Sequence, residues 1–317
     1  MITNEDIRMA AQRIAPYIRT TPVIRLEDSW FDVPGDTFLK LESLQVTGSF
    51  KPRGAFNRLL SEPIPPAGVI AASGGNHGIA VAYAAQKLGV RAEIYVPSLA
   101  TALKRKMLTD LGAQVVVAGN TYVEALAASE ARAVESGALN VHAFDHAATV
   151  AGQGTIAVEL EEQLPDIDTV LVSVGGGGFI GGIAAWFSGR VKIVAVEPEQ
   201  CPTLHHALRA RVPVDVETGG IAADSLGCRR IGTVPFSVLL PAVSDSVLVS
   251  DEQIRDAQMV LWEKLRIASE PGGATAFAAL VSGAYVRSPG EKIAVVICGG
   301  NVDPASFALG ASKRHWL

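Results

Sequence analysis

Short runs of β-branched and other apolar residues recur along the chain at 68–72, 92–96, 114–117, 169–174, 192–196, 246–249 and 292–297. Between most of them lie alanine-rich stretches with helical spacing, among them 78–88, 122–135, 154–163 and 251–265. Apolar strands without alternation belong to sheets covered on both faces, and intervening helices supply the crossovers that parallel strands need. The pattern predicts an α/β fold. Pro63, Pro65 and Pro66 predict a short stiff loop, and residues 209–220 an irregular surface segment.

At about 150 residues per domain, 317 residues predict two domains. Charged residues are 19% and apolar residues 49% of the chain, which excludes a disordered polypeptide. Lysine and arginine total 27 against 32 acidic residues, and the longest basic run is the three residues Lys104-Arg105-Lys106, beside the pairs Arg229-Arg230 and Lys313-Arg314. Nucleic acid is therefore not an expected partner. Cys201, Cys228 and Cys298 form no C-x-x-C pair and cannot all be disulfide-bonded, which suits a reducing, cytoplasmic setting. Acidic residues Glu5 and Asp6 stand where a signal peptide needs base, and the chain stops soon after its last apolar run. Neither a leader nor a C-terminal regulatory domain is expected. Residues 169–189 carry no charge and could span a bilayer by length alone, but seven of them are glycine. At roughly 1 kcal/mol per glycine in a helix, strand, loop and helix are expected there and no membrane span.

Ligands of open α/β sheets bind outside the carboxyl ends of strands. Three glycine-rich turns follow apolar runs here: Ser73-Gly74-Gly75-Asn76-His77-Gly78, Gly175-Gly176-Gly177-Gly178 and Cys298-Gly299-Gly300-Asn301. Together they predict one composite cleft. The tetraglycine precedes a helical segment, so its N–H groups and the helix terminus can converge on an anion such as a phosphate. Gly176, Gly178 and Gly181 also spell G-x-G-x-x-G, with Glu197 available as an acidic ribose ligand. A nicotinamide-dependent oxidoreductase is the reading that follows from that motif alone.

A second constellation is Thr47-Gly48-Ser49-Phe50-Lys51-Pro52-Arg53-Gly54-Ala55. Small residues and Phe50 precede Lys51, placing its amine against an apolar wall where desolvation lowers its pKa, as Schiff-base chemistry requires. A phosphate cradle with an activated lysine points to pyridoxal 5'-phosphate, which carries both an aldehyde and a phosphate.

With these motifs the sequence resembles the fold-type II (tryptophan-synthase β-like) pyridoxal-phosphate enzymes, within them the serine/threonine dehydratase and serine racemase group. The resemblance spans nearly the whole chain. It rests on the order and spacing of Ser49-Phe50-Lys51-x-Arg53-Gly54-Ala55, Ser73-x-Gly75-Asn76-His77, Ala151-Gly152-Gln153-Gly154-Thr155, the tetraglycine, Glu270-Pro271 and Gly299-Gly300-Asn301. It implies that Lys51 forms the Schiff base and then takes the substrate Cα proton. Gly175, Gly176, Gly177 and Gly178 would hold the phosphate, Asn76 the ring oxygen, and Phe50 would pack on the ring. Ser73, Gly74, Gly75 and His77 would take the substrate carboxylate, Glu270 would order the cofactor edge, and Cys298 would face the pyridine nitrogen. A thiol there is a weak neutral partner, which favours β-elimination over transamination.

The departures from the group matter. Serine racemases carry a second serine directly after the counterpart of Ser73; here it is Gly74, which tilts the reading to a dehydratase, as does Phe144-Asp145. Ser225 replaces a glycine in the substrate loop 221–227, leaving the β-substituent open. Glu197 matches the first carboxylate of the group's divalent-cation site, but Thr203 replaces the second, so no metal is expected and Glu197 is a weak candidate at most.

The expectation is a two-domain fold-type II enzyme, each domain an open, mostly parallel sheet flanked by helices. Residues 44–146 would form a small mobile domain, and residues 1–43 and 147–317 the large cofactor-binding domain. The reaction expected is dehydration and deamination of an L-β-hydroxy amino acid, such as threonine or serine, to a 2-keto acid and ammonia. Alternatives within the group are a serine or aspartate racemase and a 3-hydroxyaspartate- or phenylserine-type dehydratase. A homodimer or homotetramer is implied by the resemblance.

Overall fold

The computed structural model describes residues 2–27, 30, 35–243 and 246–303; Lys313-Arg314 lies outside them. The chain opens with α1 (Asn4–Ile14), β1 (Val23–Arg25), β2 (Thr37–Lys40) and α2 (Lys51–Leu60). An alternating stretch follows: β3 (Val69–Ala72), α3 (Asn76–Leu88), β4 (Ala92–Val96), α4 (Ala102–Asp110), β5 (Gln114–Val117), α5 (Tyr122–Ser136) and the two-residue β6 (Leu139–Asn140). Next come α6 (Ala147–Gln163), β7 (Thr169–Ser173), α7 (Gly178–Phe187), β8 (Lys192–Pro198), α8 (Thr203–Ala210), α9 (Ala223–Leu226) and α10 (Thr233–Ala242). The last elements are β9 (Ser246–Val249), α11 (Asp251–Leu265), α12 (Pro271–Val281) and β10 (Ile293–Val296).

The strands form two sheets. One has the order β1-β2-β10-β7-β8-β9, parallel except for the β1–β2 edge pair; the other, β5-β4-β3-β6, is wholly parallel. Every residue of β3, β4, β7 and β10 is buried, because helices cover both faces and leave no polar side to alternate with. The edge strand β5 is half exposed. Side chains of α1, α6, α7 and α10 pack on one face of the larger sheet, and those of α11 and α12 on the other.

Local chemistry sets the helix ends. Thr3, Thr121 and Ser250 close capping boxes with Asp6, Glu124 and Gln253, each supplying an acceptor for an otherwise unpaired N–H. Gly89 and Gly137 end α3 and α5 in the left-handed conformation, which glycine adopts without steric cost. No helix among the described residues is long and apolar enough to cross a membrane.

Candidate active site

The loop before α2 is sewn to the turn after β10. Thr47 and Gly48 have φ of 65° and 75°, and the Thr47 carbonyl accepts from the Asn301 amide at 2.8 Å. A side chain at residue 48 would strike the Asn301 carboxamide, so glycine is needed. The Phe50 N–H donates to the Cys298 carbonyl (3.1 Å) and the Gly300 N–H to the Gly48 carbonyl (2.9 Å). Lys51 then opens α2, with Pro52 in the first turn, where its missing N–H costs no helical bond.

The half-buried Lys51 amine lies 4.9 Å from the centre of the Phe50 ring, and that ring stacks on Phe179 at 4.1 Å. Its Nζ donates to the Ala143 carbonyl at 3.4 Å. Desolvation pulls the amine below the ordinary lysine range, with Cys228, Cys298 and Glu270 opposing it more weakly. Burial outweighs the nearby acids because an ammonium without a close carboxylate has little to offset its lost hydration.

The tetraglycine turn leads into α7. Gly177 has a φ of 86°, a conformation that suits glycine, and a Cβ on Gly178 would lie 2.9 Å from the Phe144 backbone. A Cβ on Gly176 would overlap the Phe144 ring. The Gly176 N–H is directed at the Cys228 sulfur. Among the described residues, no carbonyl accepts from the N–H groups of Gly175, Gly177 or Gly178. These donors, at the positive end of the α7 dipole, make a cup that could receive an anion.

The turn after β3 repeats the arrangement at the start of α3. The Ser73 hydroxyl accepts from the Gly75 N–H at 3.2 Å. Among the described residues, the N–H groups of Gly74, Asn76 and His77 have no carbonyl acceptor. His77 is buried, and its Nε2 donates to the Val141 carbonyl at 2.8 Å. Burial lowers its pKa to about 3, so the ring is neutral and committed to fixing this turn against the strand end after β6.

Asn76 ties two of the turns together. Its amide donates to Glu270 (2.6 Å) and its carbonyl accepts from Asn301 (2.7 Å), which leaves one amide hydrogen for a ligand. Glu270 precedes α12, and burial pushes its carboxyl up to about 7 against the Asn76 hydrogen bond. Burial likewise raises the Cys298 thiol far above its ordinary value. That thiol is neutral and donates to the Gly272 carbonyl at 3.5 Å. Ser225 packs on Gly272, its hydroxyl making a long 3.5 Å contact with the Ala222 carbonyl. Beside it, Asp224 accepts from Lys104 of α4 through both oxygens, at 2.6 and 2.7 Å.

Lys51, Phe50, Asn76, Glu270 and Cys298 thus meet, with the glycine turns around them. Glu197 does not join them. Its oxygens accept from the Leu204 and His205 N–H groups at the start of α8, at 2.6 and 2.8 Å. No cluster of three metal-ligating side chains occurs among the described residues, and Thr203 donates to the Cys228 carbonyl (2.6 Å). The same hydrogen bonds spend the carboxylate that a dinucleotide ribose would require. Two participants have no sequence signature: the Ala143 carbonyl that receives Lys51, because any residue supplies one, and Cys228, a lone cysteine in an irregular loop.

A family model described as pyridoxal-phosphate dependent enzyme matches residues 14–299. The L-threonine ammonia-lyase of Thermotoga maritima is 38% identical over 308 residues, covering 96% of this chain and 76% of that protein. The phenylserine dehydratase of Ralstonia pickettii is 36% identical over 304 residues, covering 93% and 92%. The structure of maize serine racemase superposes with a TM-score of 0.90 at 33% identity, covering 97% of this chain and 96% of that one. The family model and these relatives cover most of the chain, which belongs to the pyridoxal-phosphate-dependent enzyme family.

Proposed function

We propose that this enzyme is an ammonia-lyase that converts an L-β-hydroxy amino acid, such as threonine or serine, to a 2-keto acid and ammonia. One observation carries the reading: a desolvated lysine amine shares a cleft with two turns whose N–H groups have no carbonyl acceptor among the described residues. One turn fits a phosphate and the other an amino acid carboxylate. The donor set fits pyridoxal 5'-phosphate, since Lys51 matches the aldehyde, the Gly175 to Gly178 cup the phosphate, and Asn76 the ring oxygen.

When bound, the cofactor supplies a carbonyl that captures amines and a ring that accepts electrons from the substrate Cα. Lys51 holds the cofactor and then takes the Cα proton at Nζ, a task for which its lowered basicity suits it. The N–H groups of Gly74, Asn76 and His77, with the Ser73 hydroxyl, orient the carboxylate; Gly75 lets the backbone approach, and His77 acts through the turn it anchors. Phe50 would pack on the ring of the bound cofactor, and Glu270 orients Asn76. The neutral Cys298 thiol favours prompt loss of the β-hydroxyl. Gly74 offers no acid on the opposite face to return a proton, which separates this site from a racemase. Ser225 lies against the β-substituent. Water then hydrolyses the released enamine to keto acid and ammonia.

Residues 44–146 are read as a small domain that closes over the substrate, with Lys104 and Asp224 meeting across the mouth. The three cysteines are unpaired, in keeping with a cytoplasmic enzyme, and a homodimer or homotetramer is the expected assembly. The test is a panel of threonine, serine, 3-hydroxyaspartate and phenylserine, assayed for keto acid and ammonia with and without EDTA. Equal yields of both products, insensitive to EDTA, are expected. Inversion at Cα outpacing keto acid formation would overturn the reading in favour of a racemase.

A further inference from the structure

The motif Ala151-Gly152-Gln153-Gly154-Thr155 lies inside α6 and is buried throughout. Its two glycines are helix crossings. A Cβ on Gly152 would lie 2.5 Å from the Arg53 carbonyl and 2.8 Å from the Gly54 Cα, both on α2. A Cβ on Gly154 would lie 2.8 Å from the Gly182 carbonyl of α7, and one on Gly182 would lie 2.5 Å from the Gly154 nitrogen. The α6 backbone is therefore pressed directly between two others. One of those helices begins with Lys51, and the other with the last glycine of the anion cup.

A buried ion network locks the same crossing. Arg53 donates through Nε and Nη2 to the two oxygens of Glu42, each at 2.8 Å, and through Nη1 to Glu159 at 2.7 Å and Thr155 at 3.2 Å. Lys40 donates to Glu159 (2.6 Å), Gln163 (2.8 Å) and the Thr21 carbonyl (2.8 Å). Lys40, Glu42 and Arg53 have no exposed surface. Two cations face two carboxylates, and burial, which alone would push the Glu159 carboxyl up, is outweighed by Arg53 and Lys40. Apolar replacement of such a buried network is often neutral or stabilising, so stability does not account for it, whereas fixed geometry does.

We propose that α6 is the spacer of the active site. The crossings Gly54/Gly152 and Gly154/Gly182, locked by Arg53 against Glu42 and Glu159, set the distance between the Lys51 amine and the Gly175 to Gly178 turn. Arg53 and Gly154 are then positioning residues for the reaction proposed above, on which this inference rests.

The test compares the parent with Arg53→Met/Glu42→Leu, which removes one cation and one anion together and leaves Lys40 paired with Glu159. Arg53→Lys and Gly154→Ala complete the set. Each is measured for Tm without cofactor, for the Kd of pyridoxal phosphate, and for kcat and KM. The double variant is expected to keep the parent Tm within about 3 °C. Its kcat should fall roughly 10- to 100-fold with KM little changed, the signature of a displaced reacting group. Arg53→Lys, which keeps the charge but loses the fork, should fall between, and Gly154→Ala should weaken cofactor binding about tenfold or more by widening the α6–α7 crossing. A double variant with the parent's kcat and cofactor Kd, or a loss of kcat that only tracks a loss of Tm, overturns the inference alone. A parent that takes up no cofactor at Lys51 overturns the functional reading and this inference with it.

Discussion

Gly178 offers a sharp test of how closely the anion cup is fitted to its surroundings. An alanine Cβ there would lie 2.9 Å from the Phe144 Cα, Cβ and carbonyl oxygen, about 0.5–1 Å inside ordinary contact. The obstacle is backbone rather than the end of a flexible side chain, so the loop carrying Ala143 and Phe144 must retreat from the cup. The Ala143 carbonyl receives the Lys51 amine, and the retreat therefore reaches the reacting group. Overpacking of this kind costs about 1–3 kcal/mol, and the better helix propensity of alanine returns up to about 1 kcal/mol. The net cost in stability is about 0–3 kcal/mol, a folded protein with a lower Tm. Catalysis should suffer more, because a shift approaching 1 Å costs up to about 100-fold. The assay is cofactor titration followed by kcat/KM on the best substrate, alongside the melting curve. Gly178→Ala with unchanged cofactor Kd and kcat/KM would refute the reasoning that the cup is sterically matched to Phe144.

Three further outcomes follow from named contacts. Glu270 and Glu197 both have carboxyls pushed up to about 7 by burial; such groups contribute stability that is complete below the ordinary carboxylate range and lost as pH rises through about 7. The Tm of the cofactor-free protein should fall across that window, and Glu270→Gln should remove part of the fall, leaving the share due to Glu197. Gly74→Ser should be accommodated, since a Cβ there meets Ala100 and Val96 at 3.5–4.0 Å; the variant should keep the parent's Tm, and chiral analysis should show substrate inversion where the parent shows elimination alone. Lys104→Ala removes a partly exposed ion pair worth about 0–1 kcal/mol, so Tm should barely move, while KM should rise several-fold and lose the salt dependence that screening gives the parent.

Much of the fold could be read before any coordinates, and the exceptions have physical causes. The buried strands β3, β7 and β10 carry nearly unbroken apolar runs because both faces are covered. By contrast β1 and β6, at three and two residues, are too short for any period. In β2, Thr37 and Lys40 break the apolar signal, and Lys40 is tolerated inside because Glu159, Gln163 and the Thr21 carbonyl accept its hydrogen bonds. Helix α6 begins at Ala147, seven residues before the periodic stretch suggests, since Gly152 lowers helix propensity locally and is retained for the α2 crossing. Tertiary packing overrides propensity there. In the candidate site, Lys51 and the glycine turns are picked out in the sequence by their local motifs. Glu197 is ambiguous in the sequence because a carboxylate at a strand end reads equally as a ligand or as an anchor for a helix that begins several residues later.

The account rests on Lys51 being the amine that holds the cofactor. Borohydride reduction of the protein loaded with pyridoxal phosphate, followed by peptide mapping, tests this most directly. The expected result is a single reduced pyridoxyl adduct on the peptide that contains Lys51, absent from Lys51→Ala. An adduct on another lysine, or none at all in the loaded parent, would contradict it.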